Sequence, residues 1–216
     1  VSLFPEPQGN LGFPQPLAEK YRPLVIENFI GLDKIRKILA AYAKNPVPCA
    51  WLFCGPSGTG KSTMMKALFA AIGAEVHIIP SQRANLDSLN DVVRMCWYYP
   101  ATGHFHGVLC DEADQCSNAF QLALLSKLDS VDPIPNTVWG FTCNDTTRLE
   151  KRFLSRCRVL DFSTYGMRSE LASLLAEIWQ KETGTVGTAD FERIAKNANN
   201  NVREALSVLE LELLAQ

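Results

Sequence analysis

The chain has 216 residues, 47% of them hydrophobic, enough to bury the core of one large domain or of one domain with a small appendage. Its 21 basic and 23 acidic residues leave a net charge of −2, so bulk charge gives no reason to expect nucleic-acid binding, and any DNA contact must come from a local patch. Seven cysteines with no CxxC pair, and only His77, His104 and His106 to join them, argue against a zinc motif and fit a reducing compartment, cytoplasmic or nuclear.

Residues 1–16, VSLFPEPQGNLGFPQP, hold four prolines and two glycines and predict an extended arm. The first residue is Val, as expected of a processed or truncated chain, and no signal peptide is visible. GLDKIRKILAAYAK (31–44) has apolar residues at helical spacing and stops before Pro46 and Pro48. Strands and helices then alternate. AWLFC (50–54), EVHII (75–79), GVLCD (107–111), TVWGFTC (137–143) and RVLDF (158–162) read as strands. KSTMMKALFAAIG (61–73), NLDSLNDVVRMCWYY (85–99) and AFQLALLSKLD (119–129) read as the helices between them. Continuous apolar strands separated by helices predict a parallel sheet covered on both faces. After Tyr165 the pattern turns helical throughout: 167–182, 188–198 and 201–216, with Thr188 and Asn201 as N-caps of the last two. No apolar run approaches the roughly 18 residues of a membrane span, so no membrane contact is expected.

GPSGTGKST follows an apolar strand and opens a helix, the context that the pattern GxxxxGK[ST] requires. Gly55, Gly58 and Gly60 let the backbone wrap inward, so that the N–H groups of the loop, with Pro56, Ser57 and Thr59 between the glycines, point at phosphate oxygens. Lys61 reaches the β- and γ-phosphates, Ser62 offers a hydroxyl to Mg²⁺, and Thr63 follows in the first helical turn. GVLCDEAD then delivers Asp111 and Glu112 to the end of a strand, where parallel sheets bind ligands. Asp111 is placed to hold Mg²⁺, and Glu112 to orient and deprotonate an attacking water. Asn144 ends another apolar strand; it is either a turn-starting residue or an amide that holds that water. Arg156 and Arg158, just before the last strand, read equally as a solvated edge, an ion pair or a catalytic charge. The letters DEAD also mark a helicase class, but the other motifs do not look like that class.

The order EKYRP, GPSGTGKST, DEAD, TCN, SRC and NVREAL resembles AAA+ ATPases, and within them the clamp loaders: the small subunits of replication factor C and their archaeal and phage relatives. The resemblance runs from about Leu17 to the C-terminus, and EKYRP and SRC are its most specific parts. It implies an α/β AAA+ core over 17–163, with a parallel sheet flanked by helices, followed by a small all-helical lid over 164–216. Tyr21, Arg22, Pro23, Ile30 and Gly31 then line the adenine pocket, Gly55 to Thr63 hold the phosphates, and Asp111 and Glu112 serve Mg²⁺ and water. Asn144 is the sensor beside the γ-phosphate, and Arg203 a second sensor on the lid. Arg156 matches the arginine finger, which in clamp loaders projects to the ATP of the neighbouring subunit, whereas Arg158 has no such match.

The resemblance further implies like or related AAA+ subunits in a ring or spiral, a sliding clamp and primer–template DNA as partners. Arg83, Asn85, Ser117 and Asn118, at two helix starts, are the DNA candidates, and Gln121 matches a glutamine linking ATP sites to DNA. Where paired arginines are usual the chain has Leu125 and Ser126, with Lys127 nearby. The family continues into a helical collar, and this sequence stops at Gln216, so a fragment or assembly through other surfaces is expected. The alternatives to a clamp-loader subunit are another AAA+ remodeller, such as a helicase loader or branch-migration motor, or an assembly module with little turnover.

Overall fold

The computed structural model describes residues 15–129, 134–187 and 189–215. The arm expected over 1–16 and the N-cap expected at Thr188 fall almost wholly outside these residues. Five strands, β1 (Cys49–Cys54), β2 (Ala74–Ile79), β3 (Phe105–Cys110), β4 (Thr137–Cys143) and β5 (Arg158–Asp161), form one parallel sheet in the order β2-β3-β4-β1-β5. β4 is buried along its whole length, which is why its sequence is apolar without alternation. The chain leaves β1 toward β2 on one side and leaves β4 toward β5 on the other. The connections therefore diverge above β1 and β4, and the crevice beyond their C-terminal ends is where such sheets bind ligands.

Helices α2 (Asp33–Lys44) and α3 (Lys61–Ala71) cover one face, and α4 (Leu86–Cys96) and α5 (Asn118–Lys127) the other. Successive strand residues feed the two layers in turn. Leu52, Val108, Trp139 and Phe141 meet α4 and α5, while Phe53, Leu109 and Val138 meet Leu39, Met64, Met65 and Leu68 of α2 and α3. Fully burying a residue such as Leu52 or Leu68 contributes about 1.5–3 kcal/mol. This double layer fixes the strand ends that carry the site.

Two short helices escape the periodicity because four residues make barely one turn. α1 (Leu17–Lys20) packs on the C-terminal helices, and α6 (Lys151–Leu154) precedes β5. α6 buries Phe153 against Phe141, ring centroids 4.9 Å apart and edge-on. The C-terminal helices α7 (Arg168–Thr183), α8 (Phe191–Asn197) and α9 (Val202–Leu214) share a separate core of Leu171, Leu175, Ile178, Trp179, Ile194, Leu206 and Leu209, which Leu17 joins. Asn201 caps α9 as expected, accepting from Glu204 N–H at 3.2 Å, and Asp190 caps α8. Among the described residues no helix is long and apolar enough to cross a membrane.

Candidate functional site

The loop Gly55–Gly60 joins β1 to α3, and Gly60, at φ 88°, takes the left-handed N-cap position of α3. Lys61 turns back over the loop and is 8% exposed. Its Nζ donates to Gly55 O and Pro56 O, both at 2.7 Å, and to Asn144 Oδ1 at 3.1 Å. Burial lowers its pKa, an effect opposed by nearby Cys143, Cys54 and Asp114. The lysine thereby joins the ends of β1 and β4, and Asn144 is a partner of Lys61 rather than only the start of a turn.

β3 begins two residues earlier than expected and ends at Cys110, so Asp111 and Glu112 stand just beyond it. One hydroxyl holds both. Thr142 Oγ1 donates to Asp111 Oδ1 at 3.0 Å and accepts from the Glu112 N–H at 3.0 Å. Glu112 has φ 54° and ψ 50°, a left-handed conformation that costs a non-glycine residue about 1–2 kcal/mol and is held here by Thr142. Its exposed side chain lines a pocket with Ser57, Gly58, Gly60, Lys61, Ser62, Thr63, Asn144 and Arg203. The Ser62 hydroxyl and the Asp111 carboxylate are hard oxygen donors suited to Mg²⁺.

A second, more apolar pocket adjoins it. Tyr21, Arg22, Pro23, Phe29 and Ile30 form one wall, Gly58, Thr59, Gly60 and Thr63 the floor, and Met167, Leu174, Val202, Arg203 and Leu206 the other wall. Gly31 stands behind it: its N–H donates to Glu170 Oε2 at 2.5 Å, and a Cβ there would meet Met167 Cγ at 2.7 Å. Tyr21 Oη donates to Glu182 on α7, and Arg22 pairs with Glu19. Arg203, exposed at the start of α9, borders both pockets. An apolar slot beside a cradle of N–H groups, a lysine and two carboxylates fits a purine nucleotide with its phosphates and a cation.

Residues 51–164 match the family described as "ATPase family associated with various cellular activities (AAA)". The chain belongs to the AAA family of ATPases. It is similar to the replication factor C small subunit of Picrophilus torridus, 26% identical over 200 residues, covering 89% of this chain and 62% of that protein. It is also similar to DNA polymerase III subunit gamma/tau of Mycoplasma genitalium, 25% identical over 219 residues, with 89% and 36% covered. The chain thus spans 62% or less of each of these relatives. Among solved structures, the RuvB Holliday junction branch migration motor of Thermotoga maritima superposes with TM-score 0.72 at 20% identity, over 88% of this chain and 64% of that one. At that identity the likeness shows the fold alone.

Other predicted residues of this AAA chain lie away from the pockets. Arg156 follows α6. Its Nη1 donates to Arg152 O at 3.0 Å, and its Nη2 lies 3.6 Å from Asp129 Oδ2. Arg158 sits over Trp51 and Tyr42, its Cζ 5.4 and 5.9 Å from the ring centroids, which accounts for it as a cation–π residue. Asn85 and Ser117 cap α4 and α5, accepting from Ser88 N–H at 2.9 Å and Phe120 N–H at 3.3 Å. Arg83 and Asn118 are exposed beside them. Gln121 is buried and braces the loop after β4, donating to Arg148 O at 3.2 Å and accepting from Glu150 N–H at 3.0 Å.

Sequence reasoning missed Thr142, whose signal was a hydroxyl inside an apolar strand, two residues before Asn144. Thr142→Val keeps the shape and removes both hydrogen bonds. ATP binding is expected to hold while steady-state turnover falls about 10–100-fold, since the acids lose their registration. Asn201 was read only as a cap, yet a Cβ on Gly58 (φ +76°) would lie 2.0 Å from its Oδ1. Gly58→Ala is therefore expected to push α9 away and weaken ATP binding by roughly tenfold or more, measured by calorimetry, because the clash adds to a left-handed backbone cost of about 1–2 kcal/mol.

Proposed function

We propose that this chain is an ATP-dependent subunit of clamp-loader type, which binds and hydrolyses ATP at sites shared between neighbouring subunits to open or place a sliding clamp on primer–template DNA. One observation carries the reading: the nucleotide pockets and Arg156 lie at opposite ends of the sheet. Arg158 pairs with Trp51, and Arg156, just before it, lines a pocket with Ala50 and with Cys49 at the start of β1, six residues before Gly55. At about 3.3 Å per residue that is roughly 20 Å, beyond the reach of an arginine. The finger of one subunit then serves the ATP of the next.

In this reading residues 17–163 form the nucleotide-binding domain and 164–216 the lid. The adenine lies among Tyr21, Arg22, Pro23, Ile30 and Gly31. The phosphates lie on Gly55 to Thr63, with Lys61 neutralising the β- and γ-oxygens. Ser62 and Asp111 would hold Mg²⁺, which when bound offsets charge on the phosphates. Glu112 orients a water and accepts its proton as the water oxygen bonds to the γ-phosphorus and the bond to the β-phosphate oxygen breaks. Asn144 holds that water, Arg203 draws the lid onto the γ-phosphate, and the neighbour's Arg156 stabilises the transferring group.

Helix starts at Arg83, Asn85, Ser117 and Asn118 are the proposed DNA contacts. Exposed Met95, Trp97, Tyr98 and Tyr99 are an apolar surface of the kind that a protein partner such as a clamp covers. The assembly would work in a reducing compartment, cytoplasmic or nuclear. Turnover is expected to rise when a sliding clamp and primer–template DNA are added together. Stimulation by four-way junction DNA, with none from clamp and primer–template, would replace the clamp-loader reading by a branch-migration motor.

A further inference from the structure

His77, in the middle of β2, and His106, at the start of β3, sit on neighbouring strands at the sheet edge remote from β1. The register pairs Glu75 with His106 and His77 with Val108, so both imidazoles project from the face that α4 covers. Cys96, the last residue of α4, is buried over them. His77 Nε2 lies 3.0 Å from His106 Nδ1, and one ring nitrogen of each histidine and the Cys96 sulfur all lie within 4.8 Å of one another. Sequence spacing argued against a zinc motif because the three residues are 19 and 10 positions apart and meet only through the fold.

The protonation pattern favours a ligand. His106 Nε2 lies 2.9 Å from Tyr98 O, and a carbonyl only accepts, so Nε2 carries the hydrogen. The neutral ring then presents its Nδ1 lone pair to His77, whose Nε2–H donates to it at 3.0 Å, and a cation would take the place of that hydrogen. A histidine held through its far nitrogen by a backbone carbonyl is the usual outer-shell arrangement of a metal ligand.

We propose that His77, His106 and Cys96 bind a zinc-type divalent cation at this edge, separate from the nucleotide site. Metal–nitrogen bonds of about 2.0–2.1 Å and a metal–sulfur bond of about 2.3 Å place tetrahedral donors about 3.3–3.6 Å apart. The observed spacing reaches this by small side-chain shifts, which half-buried His77 on an edge strand permits. On binding, His77 loses its hydrogen from Nε2 and takes one up on Nδ1 through solvent, Cys96 releases its thiol proton to solvent, and water completes the fourth position. Two imidazoles and a thiolate select zinc over magnesium. Glu75 lies on the same face, its carboxylate accepting from the Ala101 N–H at 2.6 Å. The bound ion ties the end of α4, and with it Trp97 to Tyr99, to two strands.

The test is titration of the purified chain with Co²⁺ as a spectroscopic probe, followed by displacement with Zn²⁺. The expected result is one saturating site with a thiolate-to-cobalt charge-transfer band and intense four-coordinate d–d bands, both lost on adding Zn²⁺. Cys96→Ala removes the charge-transfer band. His77→Gln, a milder change at the edge, weakens binding more than about tenfold, since even an outer-shell partner is worth about 10–100-fold. Absence of a charge-transfer band in the parent chain, or a band that survives His77→Gln at parental affinity, overturns the proposal, and the second variant decides the matter if Cys96→Ala does not fold.

Discussion

Lys61→Ala is expected to bind ATP at least about a hundredfold more weakly than the parent chain, at or below what calorimetry detects. Hydrogen bonds to charged groups contribute about 1.5–3 kcal/mol each, and an ammonium between β- and γ-oxygens makes two or more, so the loss spans about 10²–10⁴-fold. The lysine is already turned into the loop, bonded to Gly55 O, Pro56 O and Asn144 Oδ1, so little side-chain freedom is lost when phosphate replaces those acceptors. Burial lowers its pKa, and phosphate charge beside it would raise it again, favouring the ammonium that already donates three hydrogen bonds. Undiminished affinity in a folded Lys61→Ala chain, judged by circular dichroism, contradicts the assignment of Gly55–Thr63 to phosphate.

Arg156→Ala is expected to leave ATP binding within about twofold and to cut turnover of the assembled state by about 10³–10⁵, the range for arginine fingers. The side chain is free to serve elsewhere. Its ion pair with Asp129 is 3.6 Å long with side chains 31% and 43% exposed, and such surface pairs are worth about 0–1 kcal/mol, readily exchanged for a phosphate. On the shared-site proposal, mixing Arg156→Ala with Glu112→Ala chains should regain part of the activity. Some interfaces then combine an intact Glu112 on one side with an intact Arg156 on the other. No regain at any mixing ratio excludes a shared site.

The candidate chemistry was legible where it is contiguous. Gly55–Thr63 and Asp111–Glu112 each occupy one short segment after an apolar run, so strand, turn and helix start can be read together. Arg156 was legible as a candidate only through resemblance, because two arginines beside a strand carry no chemistry of their own. The opposite end of the sheet on which it lies became visible with the register of β1 and β5. Met167, Leu174 and Leu206 were not legible as pocket walls, since Leu174 and Leu206 are ordinary apolar positions of α7 and α9, helices that also build the separate C-terminal core, and Met167 is only the residue before α7. Leu17 likewise joined those helices rather than the α/β layers. His77, Cys96 and His106 escaped for the same reason: sheet register and a helix end bring them together, not sequence spacing. Asn85 and Ser117 illustrate the reverse. A polar residue before an apolar helix reads as a phosphate contact or a cap, and the fold gives both a cap.

The most direct test follows ATP turnover per chain as the concentration is raised through assembly, with the oligomeric state measured by light scattering in the same samples. Negligible turnover while the chain is monomeric, rising steeply as subunits associate and abolished throughout by Arg156→Ala, is the expected result. A provably monomeric chain that hydrolyses ATP at the full assembled rate contradicts a finger supplied by the neighbour.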